Sequence, residues 1–478
     1  MVTDGQVLAE LAQLREGDLP THGGRTLAYV YDSGLTGLDE LAAAAHAGSA
    51  HANGLDPTAF GSIAAMEADL VATAAALLGG ADRTVGTVTS GGTESCLLAV
   101  HTARAAHPEI TRPRMVLPST AHAAFFKAAE LFGVQADVVG VDPVTFRADS
   151  LAMTQRIGPD TVLMVASAPS YAHGVLDPIV EVAAAAADRG VRCHVDACIG
   201  GWVLGGLRAA GRPVPDFDLS VPGVTSLSVD LHKYAYAPKG TSVLLHADEK
   251  QRAPGYFVFT DWPGYTMLNT TLQSTRSGGP VAAAWATVRR IGAGYADLAV
   301  RAVDAARRIR SGVAAIEGLR VLGDPQSTLF AVAGDGLDVF VLADEMTVRG
   351  YYVQPQFAHG PSPANVHLTV TAANHGHEDE LIGALAEAAA AARDHGPVSL
   401  PEAVLLLSGS AQPLPDNLIQ LLAGDLGLLA ADGTLRLPQR MATVNALLNV
   451  LPGPLRAQIL RDVLGMIHRG GRSLLEAG

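Results

Sequence analysis

The chain has 478 residues, 49% of them hydrophobic and 17% charged, with a formal net charge of −14. These values describe a folded chain long enough for at least two domains, and the acidic balance argues against general binding to nucleic acid or to acidic membranes. No segment has the length and apolar purity of a membrane span, and residues 1–20 lack the apolar stretch of a signal peptide. The three cysteines, Cys96, Cys193 and Cys198, make neither a disulfide framework nor a four-ligand zinc motif, so no metal site is expected and a reducing cytoplasm is.

Residues 1–65 read as an irregular N-terminal arm with one alanine-rich helical stretch over Gly37–Ala47. From Met66 the pattern becomes regular. "MEADLVATAAALLG" has helical periodicity, and after it β-leaning runs alternate with helical ones: "TVGTVTS" then "TESCLLAVHTARAA", "RMVLPS" then "HAAFFKAAELFG", "TVLMVASA" then "DPIVEVAAAAADRG", and "VRCHVDA". This alternation predicts a large α/β domain over 66–300 with a mostly parallel central sheet covered on both faces. "VTSLSVD" and "TSVLLHA" predict two more strands, the second a candidate hairpin partner of the first. A long helical pattern over Ala282–Ile316 leads into a smaller α+β domain, 301–397. The remainder, 398–478, reads as a helical extension of short amphipathic segments separated by Pro, Gly and Asp.

In open α/β sheets, ligands gather at the carboxyl ends of the strands. Four polar motifs fall there. "TSGGTES" (Thr89–Ser95) places two glycines before a helix whose free N–H groups can cradle a phosphate, although an ordinary glycine turn capped by Thr93 explains it as well. His122 follows "RMVLPS"; it suits a helix cap, or an imidazole lying on a bound aromatic ring. Asp196 ends the apolar run "VRCHVDA", where a carboxylate needs a partner such as a cationic ring nitrogen or a neighbouring loop. Lys233 in "SVDLHKYAYAPKG" is one of only four lysines in the chain, and in a partly desolvated site its amine is expected to lose proton affinity and to condense with an aldehyde.

Each motif alone is weak, but their order is informative. A phosphate loop, a stacking histidine, a carboxylate for a ring nitrogen and an amine for an aldehyde, each after its own strand, are the parts that pyridoxal 5'-phosphate (PLP) requires.

Together, "TSGGTES", "HVDAC", "SVDLHKYAYAPKG", "FTDWPGY" and "STRSGGP" resemble the sphingosine-1-phosphate lyase branch of the PLP-dependent group II decarboxylase family, over about Tyr29 to Gly396. The resemblance implies the fold type I aminotransferase-like architecture and a homodimer with shared active sites. It implies that Lys233 is the Schiff-base lysine, that Asp196 pairs with the pyridine nitrogen and that His122 stacks on the ring. Gly92, Thr93 and His232 would contact the cofactor phosphate, and Ser277 would reach the partner's phosphate. Tyr29, Asn53, His173 and Lys239 would serve the substrate, Lys239 at its phosphate, while Asp177 would be structural. In "NGLDP", Asp56 stands where the lyase pattern has a histidine for the substrate phosphate, which reverses the local charge.

The expected function is therefore carbon–carbon cleavage at the α-carbon of a small-molecule amine or amino acid, a retro-aldol lyase reaction. Amino-acid decarboxylation on the same scaffold is the alternative. A scaffold protein that has lost its chemistry is a third reading, and no residue type needed for the cofactor is missing to support it.

Overall fold

The computed structural model describes residues 2–400 and 438–467. Seven strands, β1 (Val85–Thr89), β2 (Arg114–Pro118), β3 (Gln135–Val139), β4 (Thr161–Ser167), β5 (Arg192–Asp196), β6 (Ser226–Asp230) and β7 (Ser242–His246), form one sheet in the order β1-β7-β6-β5-β4-β2-β3. The pairs β3–β2, β2–β4, β4–β5 and β5–β6 are parallel. Strand β7 runs antiparallel to both β6 and β1, as its hairpin-like spacing after β6 suggested. Every residue of β4, β6 and β7 is buried; β4 accordingly reads as a near-continuous apolar run, whereas β6 alternates serine with leucine and valine.

Helices α1 (Asp4–Leu14), α2 (Leu38–Ser49) and α3 (Gly61–Leu77) precede the sheet. The crossovers between parallel strands carry α4 (Gly92–Ala105), α5 (Ala123–Phe132), α6 (Ser150–Gln155), α7 (Ile179–Asp188) and α8 (Gly201–Ala209). Trp202, Val203 and Leu204 of α8 pack into the same core as Val195 and Val229, and each fully buried side chain of that size contributes about 1.5–3 kcal/mol. After β7 come the short α9 (Glu249–Arg252) and a two-stranded hairpin, β8 (Phe257–Phe259) with β9 (Met267–Asn269). Then α10 (Gly278–Ile291) packs on α2 and α3. That approach requires the two glycines of "STRSGGP": a Cβ on Gly278 would lie 2.9 Å from the Ser49 carbonyl oxygen, and one on Gly279 2.8 Å from the His46 ring.

Three features depart from the pattern read in the sequence. The arm begins with α1, held by a capping box in which Thr3 and Gln6 satisfy each other's backbone amides. The helical pattern over 282–316 is two helices, α10 and α11 (Tyr295–Ala314), separated by a 3-10 turn at Gly292–Gly294 where Gly292 has φ 49°. The hairpin β8–β9 and helix α8 carried no clear periodicity and went unread.

A second sheet orders its strands β10 (Leu319–Val321), β11 (Leu329–Gly334), β13 (Asn365–Thr369) and β12 (Gln354–Gln356). The chain divides into two compact units. One comprises 1–312, 321–331 and 368–380; the other comprises 313–320, 332–367 and the described part of 381–478. The second unit contains α12 (Val339–Val348) and helices Ala442–Val450 and Gly453–Ile467, and the Asp344 carboxylate accepts from the Met441 and Ala442 amides that open the former. Much of the sequence-predicted extension, 401–437 and 468–478, lies outside the described residues. Among the described residues no helix is long and apolar enough to cross a membrane.

Candidate active site

A cavity of about 350 Å³ opens at the carboxyl ends of the central strands, within the range of small-molecule cofactor sites. It is lined by Ser90, Gly91 and Gly92 after β1, His122 after β2, Tyr171 after β4, Asp196 at the end of β5, and Asp230, His232 and Lys233 at the end of β6. Six of the residues singled out in the sequence therefore meet here: Gly92, Thr93, His122, Asp196, His232 and Lys233.

Each is positioned by its strand or helix end. Gly92 opens α4, a helix long enough to present a substantial dipole, and a Cβ there would sit 2.7 Å from Asp230 Oδ1 and 2.9 Å from Cys198 Sγ. Only glycine lets the backbone come this close. Glu94, buried in the first turn of α4, accepts the Ser90 amide at 2.6 Å and the Leu272 amide at 2.8 Å. His122 is the N-cap of α5, its Nδ1 accepting from the Ala124 amide at 3.2 Å. That bond fixes the ring's orientation and leaves the proton of the neutral imidazole on Nε2. Asp196 accepts from the Cys198 amide at 3.1 Å.

Asp230 was missed in the sequence. Its carboxylate lies 2.9 Å from Lys233 Nζ and 3.5 Å from His232 Nε2, and its side chain is 1% exposed. Burial, the largest single effect, would depress the Lys233 amine, but Asp230 together with Tyr31, Cys198 and Asp196 outweighs it and raises the amine well above its ordinary value. The same pairing with Lys233, followed by His232, overcomes the burial penalty and lowers Asp230. The expectation that desolvation weakens the proton affinity of Lys233 is thus reversed. The signal was present in "DLHK": an aspartate at the strand end, three residues before the lysine.

Tyr31 was also unread. Burial pushes its hydroxyl up to about 12, against the opposing charge of Lys233. Its ring packs edge-on against Tyr234 at 5.2 Å, and Lys239 Nζ lies 4.6 Å over its face. Lys239 also donates to the His232 carbonyl at 3.3 Å, and desolvation together with the nearby charge of Lys233 pulls it down to about 8. Tyr29, two residues before Tyr31, is 54% exposed and has φ 65°.

The other sequence-derived residues do not line this cavity. His173 is buried and stacks on Phe146 at 4.0 Å, with burial pushing its pKa down to about 4. Asp177 accepts the Ser167 and Ala148 amides, and burial raises it to about 6. Asn53 forms a backbone bridge with Ser277, and the hydroxyl of Ser277 donates to the Ala50 carbonyl. Asp56 is exposed and turned onto its own loop, accepting from the amide and hydroxyl of Thr58. Arg276, beside Ser277, pairs with Glu67 at 2.7 Å on the wall of a second cavity of about 330 Å³, which Leu55, Phe60, Val258 and Leu268 also line.

The first cavity fits PLP on its own chemistry. Buried Asp230 Oδ1 and His232 Nδ1 have no hydrogen-bond partner among the described residues. The glycine-opened helix offers N–H groups to a phosphate, a carboxylate and a fixed imidazole face the ring space, and one amine is available to an aldehyde.

The open sheet with this lysine, its carboxylates and the glycine loop at its carboxyl edge defines a PLP-dependent lyase of fold type I. Residues 27–315 match the pyridoxal-dependent decarboxylase conserved domain, and the chain belongs to that family. Residues 384–466 match a second model, the putative HTH domain at the C-terminus of pyridoxal-dependent enzymes. Within the family the chain falls in the sphingosine-1-phosphate lyase branch. It is 36% identical over 367 residues to the sphingosine-1-phosphate lyase of Dictyostelium discoideum, covering 76% of this chain and 68% of that one. It is 35% identical over 423 residues to that of Oryza sativa subsp. japonica, covering 86% and 77%. The solved sphingosine-1-phosphate lyase of Burkholderia pseudomallei superposes with a TM-score of 0.78 at 36% identity, covering 82% of this chain and 92% of that one. Glutamate decarboxylase of Lactobacillus brevis, at 17% identity and a TM-score of 0.73, shares the fold.

Proposed function

We propose that the chain cleaves the Cα–Cβ bond of a phosphorylated amino alcohol, releasing an aldehyde and a phosphorylated amine. The observation that carries this reading is the pair of lysines near Tyr31: Lys233 in the cavity, and Lys239 with its ammonium over the Tyr31 ring. One amine suits the cofactor aldehyde and the other an anionic substrate group. The names of the relatives support the same substrate class.

In this reading Lys233 holds the cofactor, Asp196 faces its ring nitrogen, His122 covers its ring, and the α4 N-terminus with Thr93 and His232 holds its phosphate. Bound PLP supplies a sink for the electron pair left on the substrate's α-carbon. Lys239 orients the substrate through its phosphate, and the Tyr31 hydroxyl stays protonated as a hydrogen-bond donor. Lys233, when its amine is free, would be the group that carries a proton within the cavity, with Asp230 beside it influencing its affinity. The β-hydroxyl loses its proton as the carbonyl forms, and the α-carbon gains one.

The test is to incubate the PLP-loaded protein with phosphorylated amino alcohols and with amino acids. Aldehyde release that depends on the substrate phosphate is expected. Carbon dioxide release from an amino acid without aldehyde formation would replace this reading with decarboxylation, the second reading. Asp56 favours the second reading, since a carboxylate is a poor neighbour for a phosphate.

The homodimer inferred from the resemblance has support from one surface. Asn53, Asp56 and Ser277 lie apart from the lining of the Lys233 cavity, and the nearby hairpin exposes Phe257, Val258, Phe259, Trp262 and Leu268. We infer that a second copy covers this apolar face and that these three polar residues serve the partner's cavity. Light scattering should give twice the chain mass, and Phe259→Lys should halve it; a monomeric wild type would overturn the inference. Three free, buried thiols suit a reducing cytoplasm.

A further inference from the structure

Cys96 lies in α4 and Cys198 follows β5, far apart in sequence, and no spacing motif connects them. The fold brings both thiols to the carboxylate of Asp196. The three ligand atoms lie within 4.8 Å of one another, and all three residues are buried in the lining of the Lys233 cavity.

This is a donor set with a definite preference. Two sulfurs and one carboxylate suit a soft or borderline cation over magnesium or calcium. Zinc takes sulfur at about 2.3 Å and carboxylate oxygen at about 2.0–2.2 Å, so tetrahedral ligand atoms stand about 3.5–3.8 Å apart. From separations of up to 4.8 Å, the cluster needs to close by about 1–1.3 Å at most to reach that geometry. The three residues line the cavity, so water has access to a fourth ligand position.

The surroundings also suit an ion. Cys198 Sγ lies 3.2 Å from Ser228 Oγ, and the same hydroxyl lies 3.2 Å from His194 Nε2. Ser228 now accepts from the thiol, and by rotating it can donate to a thiolate, which is how outer hydrogen bonds hold metal-bound sulfur. Asp196 keeps one oxygen on the Cys198 amide, which fixes its carboxylate beside the thiols. The cavity wall carries three carboxylates, Glu94, Asp196 and Asp230, against the single lysine Lys233, so a dication meets a negative field.

We propose that Cys96, Cys198 and Asp196 bind a thiophilic divalent cation of the zinc or cadmium class, and that this ion and PLP exclude one another. Binding displaces the two thiol protons to solvent, and nothing is oxidised or reduced. The exclusion rests on the proposed pairing of Asp196 with the cofactor ring, because one carboxylate cannot serve both.

The experiment loads the cofactor-free full chain with zinc, removes excess by dialysis and counts metal per chain. One zinc per chain is expected, with two sulfur neighbours in its X-ray absorption spectrum. Cys96→Ser and Cys198→Ser should each weaken retention at least tenfold, and zinc should slow PLP uptake followed by absorbance. Absence of retained zinc, or zinc with no sulfur neighbours, overturns the site without recourse to any variant. Zinc held on two sulfurs while PLP enters at an unchanged rate overturns the exclusion. If PLP fails to bind even in zinc-free buffer, the cofactor roles proposed above fall, while the metal count and sulfur coordination still decide the site.

Discussion

Lys233 Nζ and the Asp230 carboxylate meet at 2.9 Å on the floor of the cavity, and each holds the other in its charged form. Asp230→Asn leaves the ammonium without its partner, and losing one member of such a buried pair costs roughly 3–5 kcal/mol. Because the folded-state pKa of Asp230 is lowered, its contribution to stability is complete above the ordinary carboxylate range and is lost as pH falls through the lowered value. Denaturant unfolding of the cofactor-free protein should show this acid-side loss in the wild type and a smaller one in Asp230→Asn. Identical pH profiles would show that the pair does not stabilise the fold.

Lys239 titrates near pH 8, pulled down by desolvation and by Lys233. A phosphate monoester takes its second charge near pH 6, so substrate affinity should hold between about 6 and 8. Above that window KM should rise as the ammonium is lost. Lys239→Met should raise KM about ten- to a hundredfold, the loss of a charge-assisted contact of roughly 1.5–3 kcal/mol. Equal KM values in the two proteins would remove Lys239 from the substrate site.

His122 is the N-cap of α5 and, in the proposed reading, also covers the cofactor ring, and mutation can separate the two. His122→Ala removes the N-cap of α5 and should destabilise the protein by about 1 kcal/mol. His122→Asn keeps an N-cap acceptor and should recover that stability, yet it should not recover PLP affinity, because no ring remains to cover the cofactor. Thermal unfolding and a PLP titration on both variants separate the roles; full recovery of affinity in His122→Asn would leave the residue a cap alone.

Gly92→Ala would drive a methyl group against Asp230 and Cys198, an overpacking cost of roughly 1–3 kcal/mol, and should abolish PLP uptake. Gly61→Ala, at the start of α3 with nothing within 4 Å of the added carbon, is the control and should leave uptake unchanged.

The sequence made the central sheet legible because parallel strands buried on both faces are long apolar runs that stand out between helices, as "TVLMVAS" does. The short hairpin β8–β9 had no such contrast, since its apolar residues are exposed. Within the cavity, residues that end their own strands were readable one by one. Asp230 also ends its strand, three residues before the lysine, but that it partners Lys233 depends on a distance the chain sets only by turning after β6. Tyr31 escaped for a similar reason: "AYVYD" offers two tyrosines, and the fold decides that the second lies beside Lys233 while the first remains largely exposed. The likeness of Cys96 and Cys198 to a pair was invisible for lack of any spacing rule between α4 and β5.

Glu94 ties the amide of Ser90, in the glycine loop, to the amide of Leu272, just beyond the apolar hairpin. Two loops thus share the two oxygens of one carboxylate, and ordering one removes freedom from the other. Whatever settles on the hairpin therefore stiffens the loop that would grip the cofactor phosphate, and a gripped phosphate firms the hairpin in return. If a second copy covers the hairpin as proposed, cofactor loading and association are linked equilibria, and protein saturated with PLP should resist dilution into monomers better than protein stripped of it.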